Sequence, residues 1–369
     1  MHLNLKLNPC DNSILPAATQ RAIFGSCNCW PIVHSIPIHS DDEGEAMRAL
    51  VTGVNGFAGK HLKRNLLEHG YQVWGTSRQK HENTPSEPNF EPVQLNLSGE
   101  MDEIVSLLND IRPDAIFHLS GQSSVKDSWD HAAETFRANV LEAIQLLEAI
   151  KRSSVRDRCV ILTIGSSEEY GKAPSLPIDE TCPANPLNPY GVSKLALCHV
   201  AMQYASRHQL NVIHVRAFNH LGPGQSLGFV ASDFGKQIAE IDLGLREPVI
   251  TVGDLSSSRD FTDVRDIVEG YRFLAERGRI GEIYNICSGK GVVIKDLLDM
   301  FLTFTDKAVT IEVDKTKFRP NEVKVYYGSN EKITKDTGWK PAIPLMQSLR
   351  DIFMHWKDNL SKSKDECSF

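Results

Sequence analysis

At 369 residues, 41% of them hydrophobic and 24% charged, the chain can fill one large α/β domain or two smaller ones around a true core. The 40 lysines plus arginines set against 47 acids leave a formal charge of -7, which gives no footprint for nucleic acid or an anionic membrane but still allows a local pocket for small phosphates. No apolar run reaches the roughly 18 residues of a membrane span and the N-terminus lacks the basic-then-apolar signature of a secretory signal, so a soluble, cytoplasmic protein is expected.

Residues 1–46 show neither helical nor strand period and end in the polar run Ser40-Asp-Asp-Glu-Gly-Glu45; they are expected to be a disordered extension or an over-long start ahead of Met47. From Met47 the pattern alternates. The strand Ala49-Leu-Val51 runs into the glycine turn Thr52-Gly-Val-Asn-Gly-Phe-Ala-Gly59, and an amphipathic helix through Leu62, Leu66 and Leu67 ends at Gly70. Because Gly53, Gly56 and Gly59 follow a strand and open a helix, they predict a turn whose backbone amides meet a pyrophosphate. A second strand, Gln72-Val-Trp74, leads into Gly75-Thr-Ser-Arg78 with Lys80 beyond. No carboxylate stands there to accept from a ribose 2'-hydroxyl, whereas Ser77 and Arg78 suit a 2'-phosphate, so NADP(H) is favoured with NAD(H) possible.

Further strands are predicted at Val93-Gln-Leu95, Ala115-Ile-Phe-His-Leu119, Val160-Ile-Leu-Thr-Ile164 and Val212-Ile-His-Val215, with a helix from Phe136 to Ile150 carrying Val140, Ile144, Leu147 and Ile150 in register. This βαβ series predicts an α/β fold, a doubly wound parallel sheet of Rossmann type with ligand loops at the strand C-termini. Ser166, after the fifth strand, then lies at the open edge. In Asn188-Pro-Tyr-Gly-Val-Ser-Lys194, Asn188 caps a helix that Pro189 starts, and four-residue spacing puts Tyr190 and Lys194 on one face. A free tyrosine has a pKa of about 10, so neighbouring positive charge is needed to make the phenol useful near neutrality. The three residues together predict reduction of a ketone: Tyr190 supplies the proton, Ser166 holds the oxygen and Lys194 keeps the phenol acidic.

After Gly222 the alternation gives way to loops, with strands near Val249-Ile-Thr-Val252 and Glu282-Ile-Tyr-Asn285 and helices near Asp263 to Glu276 and Leu345 to Trp356. The expected organisation is a dinucleotide-binding domain with the catalytic residues over 47–221, a smaller, mainly substrate-binding lobe over 222–357 and a polar tail over 358–369. The eight cysteines lack paired metal-ligand spacing and are expected to be reduced thiols, with no metal site.

The glycine turn, Ser166 and Tyr190-x-x-x-Lys194 resemble the extended short-chain dehydrogenase/reductase family. More specific are Arg216-Ala-Phe-Asn-His-Leu-Gly-Pro-Gly-Gln225, Gly228-Phe-Val230, Arg259-Asp-Phe-Thr-Asp-Val-Arg-Asp266, Tyr284-Asn-Ile-Cys-Ser-Gly289, Arg319-Pro-Asn-Glu-Val323 and Gly338-Trp-Lys-Pro341, which look like the GDP-mannose 4,6-dehydratase-like branch. The resemblance implies a GDP-sugar substrate, hydride delivery to the C4 ketone of GDP-4-dehydro-6-deoxy-D-mannose to give GDP-D-rhamnose, and a homodimer built through sheet-flanking helices. It also places Phe57, Asn96 and Leu97 at the cofactor, and Gln122, Asn219, Lys236, Arg259 and Glu322 at the substrate. Asn219 and Arg259 are the candidates for the diphosphate, as neutral and charged donors. Their plainer roles are a loop cap for Asn219, pairing with Asp260 or Asp263 for Arg259, and a solvated helix position for Lys236. Asn96, where the family often has aspartate, and Ser120-Gly121, where it has Ala-Ala, depart from the pattern.

Glu168 keeps a rival open. It lies two residues before Tyr170, where sugar-nucleotide 4,6-dehydratases place the glutamate that removes the C5 proton, and the same scaffold would then oxidise, eliminate water and return the hydride. A non-catalytic dinucleotide sensor is a third reading, disfavoured because tyrosine and lysine are both present.

Overall fold

The computed structural model describes residues 46–78, 87–318 and 323–366, with side chains through residue 362. Expectations about the N-terminal segment before residue 46, Lys80 and Glu322 lie outside the described residues. In chain order the strands are β1 (Arg48–Thr52), β2 (Gln72–Ser77), β3 (Phe90–Gln94), β4 (Ala115–His118), β5 (Val160–Ile164), β6 (Asn211–Ala217), β7 (Asn219–Leu221), β8 (Val249–Val252), β9 (Ser258–Asp263), β10 (Ile283–Ile286), β11 (Gly291–Val293), β12 (Thr310–Val313) and β13 (Val325–Tyr326). The helices are α1 (Phe57–Glu68), α2 (Met101–Ile111), α3 (Val125–Asp130), α4 (Ala132–Phe136), α5 (Glu142–Arg152), α6 (Pro189–His208), α7 (Val230–Asp242), α8 (Val264–Arg277), α9 (Ile294–Leu302), α10 (Glu331–Thr337) and α11 (Leu345–Glu366).

Seven strands form one sheet in the order β10-β6-β5-β4-β1-β2-β3, and every neighbouring pair is parallel. A parallel sheet needs both faces covered, which is why β1, β4, β5 and β6 are almost wholly buried and mainly apolar, with His214 and Arg216 of β6 among the buried polar exceptions. On one face Val51, Phe117, Leu162 and Val215 pack against α1 and α8 residues such as Leu62, Leu66, Ile267 and Tyr271. On the other, Leu50, Ile116, Ile161 and Val212 pack with Leu108, Leu147, Ile150 and Ala201. The order reverses between β1 and β4, and their carboxyl ends form the crevice where this topology binds ligands.

Sheet and helix positions follow the sequence pattern with three physical adjustments. β3 begins at Phe90 and contains Pro92, which is tolerated because β3 is an edge strand. The helix expected from Phe136 to Ile150 is interrupted by a π-helical turn, Arg137–Leu141, which rotates the following residues so that Ala143 and Leu146, rather than Ile144, are buried. The last helix runs on to Glu366 instead of giving way to a tail after Trp356. Leu360 packs against the apolar cluster there, and Lys357 reaches Asp242 on α7 at 2.8 Å.

The segment after Gly222 does two things. β10 and α8 return to the main sheet, while a separate apolar cluster from α7, α9 and α11, with Phe234, Ile238, Leu298, Phe301 and Phe353, builds its own core. Small sheets support it: β9 pairs with β7, β11 and β13, and β8 pairs with β12. Among the described residues no helix is long and apolar enough to cross a membrane.

Candidate active site

The glycine turn is shaped by contacts that admit no side chain. Gly53 has φ +70, and a Cβ there would lie 2.9 Å from the backbone of Ser120 just past β4. A Cβ on Gly59 would overlap the Gly53 carbonyl oxygen and sit 2.9 Å from the backbone of Val54. Helix α1 begins at Phe57 with Gly56 as its cap, no capping side chain and no acid in its first turn, so its leading amides face the crevice without an internal anion. Those features fit the pyrophosphate of a dinucleotide. Thr52 ties the floor of the crevice together: its hydroxyl contacts His118 Nδ1 at 3.0 Å and accepts from the Ser120 amide at 3.2 Å.

Around this turn stand the other expected cofactor residues. Ser77 closes β2 and exposed Arg78 follows it. Asn96 is exposed, its Oδ1 accepting from Ser98 N at 3.1 Å, whereas Leu97 is 4% exposed and part of the core. Phe57 stacks on His220 with ring centroids 5.9 Å apart, joining the start of α1 to β7. Gly121 has a reason of its own: a Cβ there would lie 2.5 Å from Asn139 Oδ1. Asn139, in the π turn, accepts from the Gln122 amide at 2.8 Å and donates to Ser193 Oγ at 2.9 Å, fastening the β4 loop to α6.

Helix α6 starts as its sequence dictates. Asn188 Oδ1 accepts from Gly191 N at 2.7 Å, and Pro189 occupies the first turn. This brings Tyr190 and Lys194 beside Ser166, and all three are 8% exposed. The phenol of Tyr190 is pushed up by burial, and the Ser166 hydroxyl beside it works in the opposite direction. Lys194 lies with Nζ 5.8 Å from the Tyr190 ring centroid and donates to the Ile164 carbonyl at 2.8 Å. Burial lowers Lys194 to about 8, with Glu169 opposing the shift. Glu168 joins the group: its Oε2 accepts from Asn188 Nδ2 at 2.8 Å.

Sequence reasoning missed Glu169. Its Oε1 accepts from the Ser166 amide at 2.9 Å while Ser166 Oγ accepts from Glu168 N at 3.1 Å, a capping box that Ser166-x-x-Glu169 spacing announces. The substrate candidates are scattered more widely. Gln122 Nε2 donates to Ser124 O at 2.8 Å, and Asn219 is exposed at the start of β7. Arg259 Nη1 donates to the carbonyls of Ser258 and Val323, both at 2.8 Å. Asp260 and Asp263 are engaged elsewhere: Asp260 accepts from Ser288, Gly289 and Gly328, and Asp263 from Arg265 and Ser348. Lys236 is paired with Glu240 at 3.5 Å and lies 5.7 Å over the Trp356 ring, so it faces α11.

The sequence model of the GDP-mannose 4,6 dehydratase family matches residues 50–352. The chain belongs to this family. It is 34% identical over 315 residues to GDP-6-deoxy-D-mannose reductase of Pseudomonas aeruginosa, covering 85% of this chain and 98% of that protein. Human GDP-mannose 4,6 dehydratase is 27% identical over 335 residues, covering 82% and 90%. The solved structure of RMD from Pseudomonas aeruginosa complexed with NADPH superposes with a TM-score of 0.70 at 33% identity, covering 85% of this chain and all of that one. UDP-glucose 4-epimerase of Thermus thermophilus in complex with NAD gives 0.73 at 26% identity over 84% of this chain and 99% of that one. The family member described here is therefore an enzyme on the extended short-chain dehydrogenase/reductase fold with a dinucleotide crevice.

Proposed function

We propose that the chain reduces the C4 ketone of GDP-4-dehydro-6-deoxy-D-mannose to give GDP-D-rhamnose, with NADPH as the preferred reductant. The observation that carries this reading is the clustering of Ser166, Tyr190 and Lys194 at the carboxyl end of β5, in a chain more similar to a GDP-6-deoxy-D-mannose reductase than to the dehydratases compared with it. The dinucleotide supplies a hydride to the carbonyl carbon. Tyr190 gives the carbonyl oxygen its proton, and Ser166 holds that oxygen by a hydrogen bond as charge develops on it. Protonated Lys194 offsets the negative charge left on the phenol. A lysine near 8 is poised to recover and pass protons at neutral pH.

In this reading residues 47–221 hold the dinucleotide, with Ser77 and Arg78 on the 2'-phosphate, and residues 222–357 mainly take the nucleotide sugar. Arg259 and Asn219 are its diphosphate donors, with Gln122, Lys236 and Glu322 as further contacts. Homodimerisation through the sheet-flanking helices is supported by Leu141 and Val192, which are 55% and 42% exposed beside α5 and on α6; sedimentation of the wild type and a Leu141→Glu, Val192→Glu variant tests it.

Glu168 supports a second reading, GDP-mannose 4,6-dehydration, because Asn188 fastens its carboxylate to the start of the helix that carries Tyr190. One experiment separates the two. Purified protein is incubated with GDP-mannose plus NADP+, and separately with the 4-keto-6-deoxy sugar plus NADPH. Stoichiometric NADPH loss in the second mixture alone is the expected result; conversion of GDP-mannose without net cofactor change would assign the dehydratase instead.

A further inference from the structure

Beneath the catalytic turn lies a buried polar cluster that the proton chemistry above does not use. Glu169 is fully buried, and its two oxygens are divided between partners. Oε1 accepts from the Ser166 amide at 2.9 Å and contacts His214 Nε2 at 3.1 Å; Oε2 accepts from Arg216 Nε at 2.8 Å. A carboxylate only accepts, so His214 carries its proton on Nε2, while its Nδ1 meets Thr163 Oγ1 at 2.8 Å. Arg216 is held in turn: its guanidinium lies 4.4 Å over the Tyr170 ring and donates to Cys198 Sγ at 3.9 Å. Glu169, Cys198 and His214 bring three donor atoms within 4.8 Å of one another, as a metal site would. A guanidinium bonded to both Glu169 and Cys198 takes the place of a cation there, so the cluster is a clamp for the carboxylate.

That clamp touches the catalytic turn at two points. Ile164, Gly165 and Ser166 run in sequence: Lys194 holds the Ile164 carbonyl at 2.8 Å, and Glu169 holds the Ser166 amide at 2.9 Å. Between them, a Cβ on Gly165 would overlap both the Glu169 carboxylate and the His214 ring, so the glycine lets the acid lie directly under the turn. The charged and titratable groups facing Lys194 are Glu169 from the turn, His118 from β4 and Tyr190 from its own helix, with His214 and Arg216 of β6 behind Glu169 and Tyr271 of α8 beyond Tyr190. Of these, Glu169 is the buried carboxylate.

We propose that Glu169 is a positioning residue of the reaction: clamped by His214 and Arg216, it fixes Ser166 through its backbone and supplies the negative charge that keeps Lys194 an ammonium. Burial alone would raise Glu169, but His214, Arg216 and the Ser166 amide outweigh it and hold the group ionised, which agrees with this role. The role in turnover rests on the ketone-reduction reading; the effect on Lys194 does not.

The test is built on that difference. Protein labelled with [ε-13C]lysine is titrated by NMR without substrate or cofactor, the Lys194 resonance being assigned by its loss in Lys194→Met. In Glu169→Gln, which keeps an oxygen for the Ser166 amide but removes the charge, the Lys194 midpoint is expected to fall by about one unit or more. An unchanged midpoint would overturn the proposal. With the keto sugar and NADPH, Glu169→Gln is expected to lose about tenfold or more in kcat, with its alkaline limb displaced to lower pH and its NADPH affinity retained; a limb that stays in place would equally count against it. Absence of turnover in the wild type would refute the substrate reading, while the titration still decides the role of Glu169. Should Glu169→Gln fail to fold, the double variant Glu169→Gln, Arg216→Met, which removes both charges of the buried pair and keeps an oxygen for the Ser166 amide, receives the same titration, with the same downward displacement expected.

Discussion

Asn188 donates from Nδ2 to Glu168 Oε2 at 2.8 Å while its Oδ1 accepts from Gly191 N at 2.7 Å, so one amide both starts α6 and anchors an acid near Tyr190. Asn188→Ala removes the cap and leaves Glu168 untethered. The cap alone is worth about 1 kcal/mol, and for a chain of this size the melting temperature is expected to fall by about 1–2 °C. Asn188→Asp retains a capping oxygen but sets a second carboxylate against Glu168. It is expected to melt below wild type at low ionic strength and to recover part of that deficit at high salt, which screens the like-charge pair. Thermal scans of the three proteins under both conditions check this.

Tyr190→Phe keeps the ring in its packed position and removes only the hydroxyl that is proposed to give the proton. Turnover of the keto sugar is expected to drop by about 10²- to 10⁴-fold, with NADPH affinity measured by fluorescence titration within about threefold of wild type, since the glycine turn and Arg78 are untouched. Near-normal turnover would show that another group protonates the ketone, and Glu168 would then be the first to examine.

Much of this architecture is legible in the sequence because it rests on local rules. The strands of the main sheet are short apolar runs set between helical periods, and the start of α6 is written in Asn188-Pro189. The small sheets were harder to read: β7, β11 and β13 have three residues or fewer, and their pairing with β9 joins parts of the chain far apart in sequence. Lys236 is a candidate for the nucleotide by residue type alone; its pairing with Glu240 on the same helix and its place over the Trp356 ring of α11 are what periodicity does not reveal. Glu169 was within reach, since Ser166-x-x-Glu169 is a capping box; its clamp depends on His214 and Arg216, which the fold supplies from β6.

Two glycines on either end of α1 separate close approach from backbone strain. Gly59→Ala drives a Cβ into the Gly53 carbonyl and to 2.9 Å from Val54, backbone atoms that cannot step aside. A cost of about 1–3 kcal/mol is expected, together with loss of dinucleotide affinity by about tenfold or more if the displaced turn is, as proposed, the one that meets the pyrophosphate. Gly70 has φ +78, and a Cβ added there would meet nothing within 4 Å. Gly70→Ala therefore carries only the left-handed backbone penalty, about 1 kcal/mol, and leaves cofactor affinity unchanged. Calorimetric melting and NADPH titration of both variants distinguish the two effects.

Arg78 follows β2 and is exposed; no acid stands in the sequence at the end of that strand, and among the described residues Glu142, at the start of α5, is a carboxylate that feels its charge. As the partner of a 2'-phosphate it would be replaced by a repelling group in Arg78→Glu. The ratio of kcat/KM with NADPH to that with NADH is expected to fall by about tenfold or more, mainly through the KM for NADPH. An unchanged ratio would remove Arg78 from the cofactor site and leave the preference to other residues.

Burial holds Lys194 at about 8, against an ordinary value of 10.5. Between those values the unfolded chain binds a proton that the folded chain has released, so this group makes stability rise as the pH climbs from about 8 to about 10.4. Catalysis changes in the opposite sense, because the neutral amine no longer offsets charge on the phenol of Tyr190. The expected result is a kcat/KM that declines above about pH 8 while the stability difference between Lys194→Met and wild type, measured by urea unfolding, moves in favour of wild type over the same interval. A difference that stays constant from pH 7 to about pH 10 would mean that the lysine does not titrate there, and the alkaline decline would then have to come from another group.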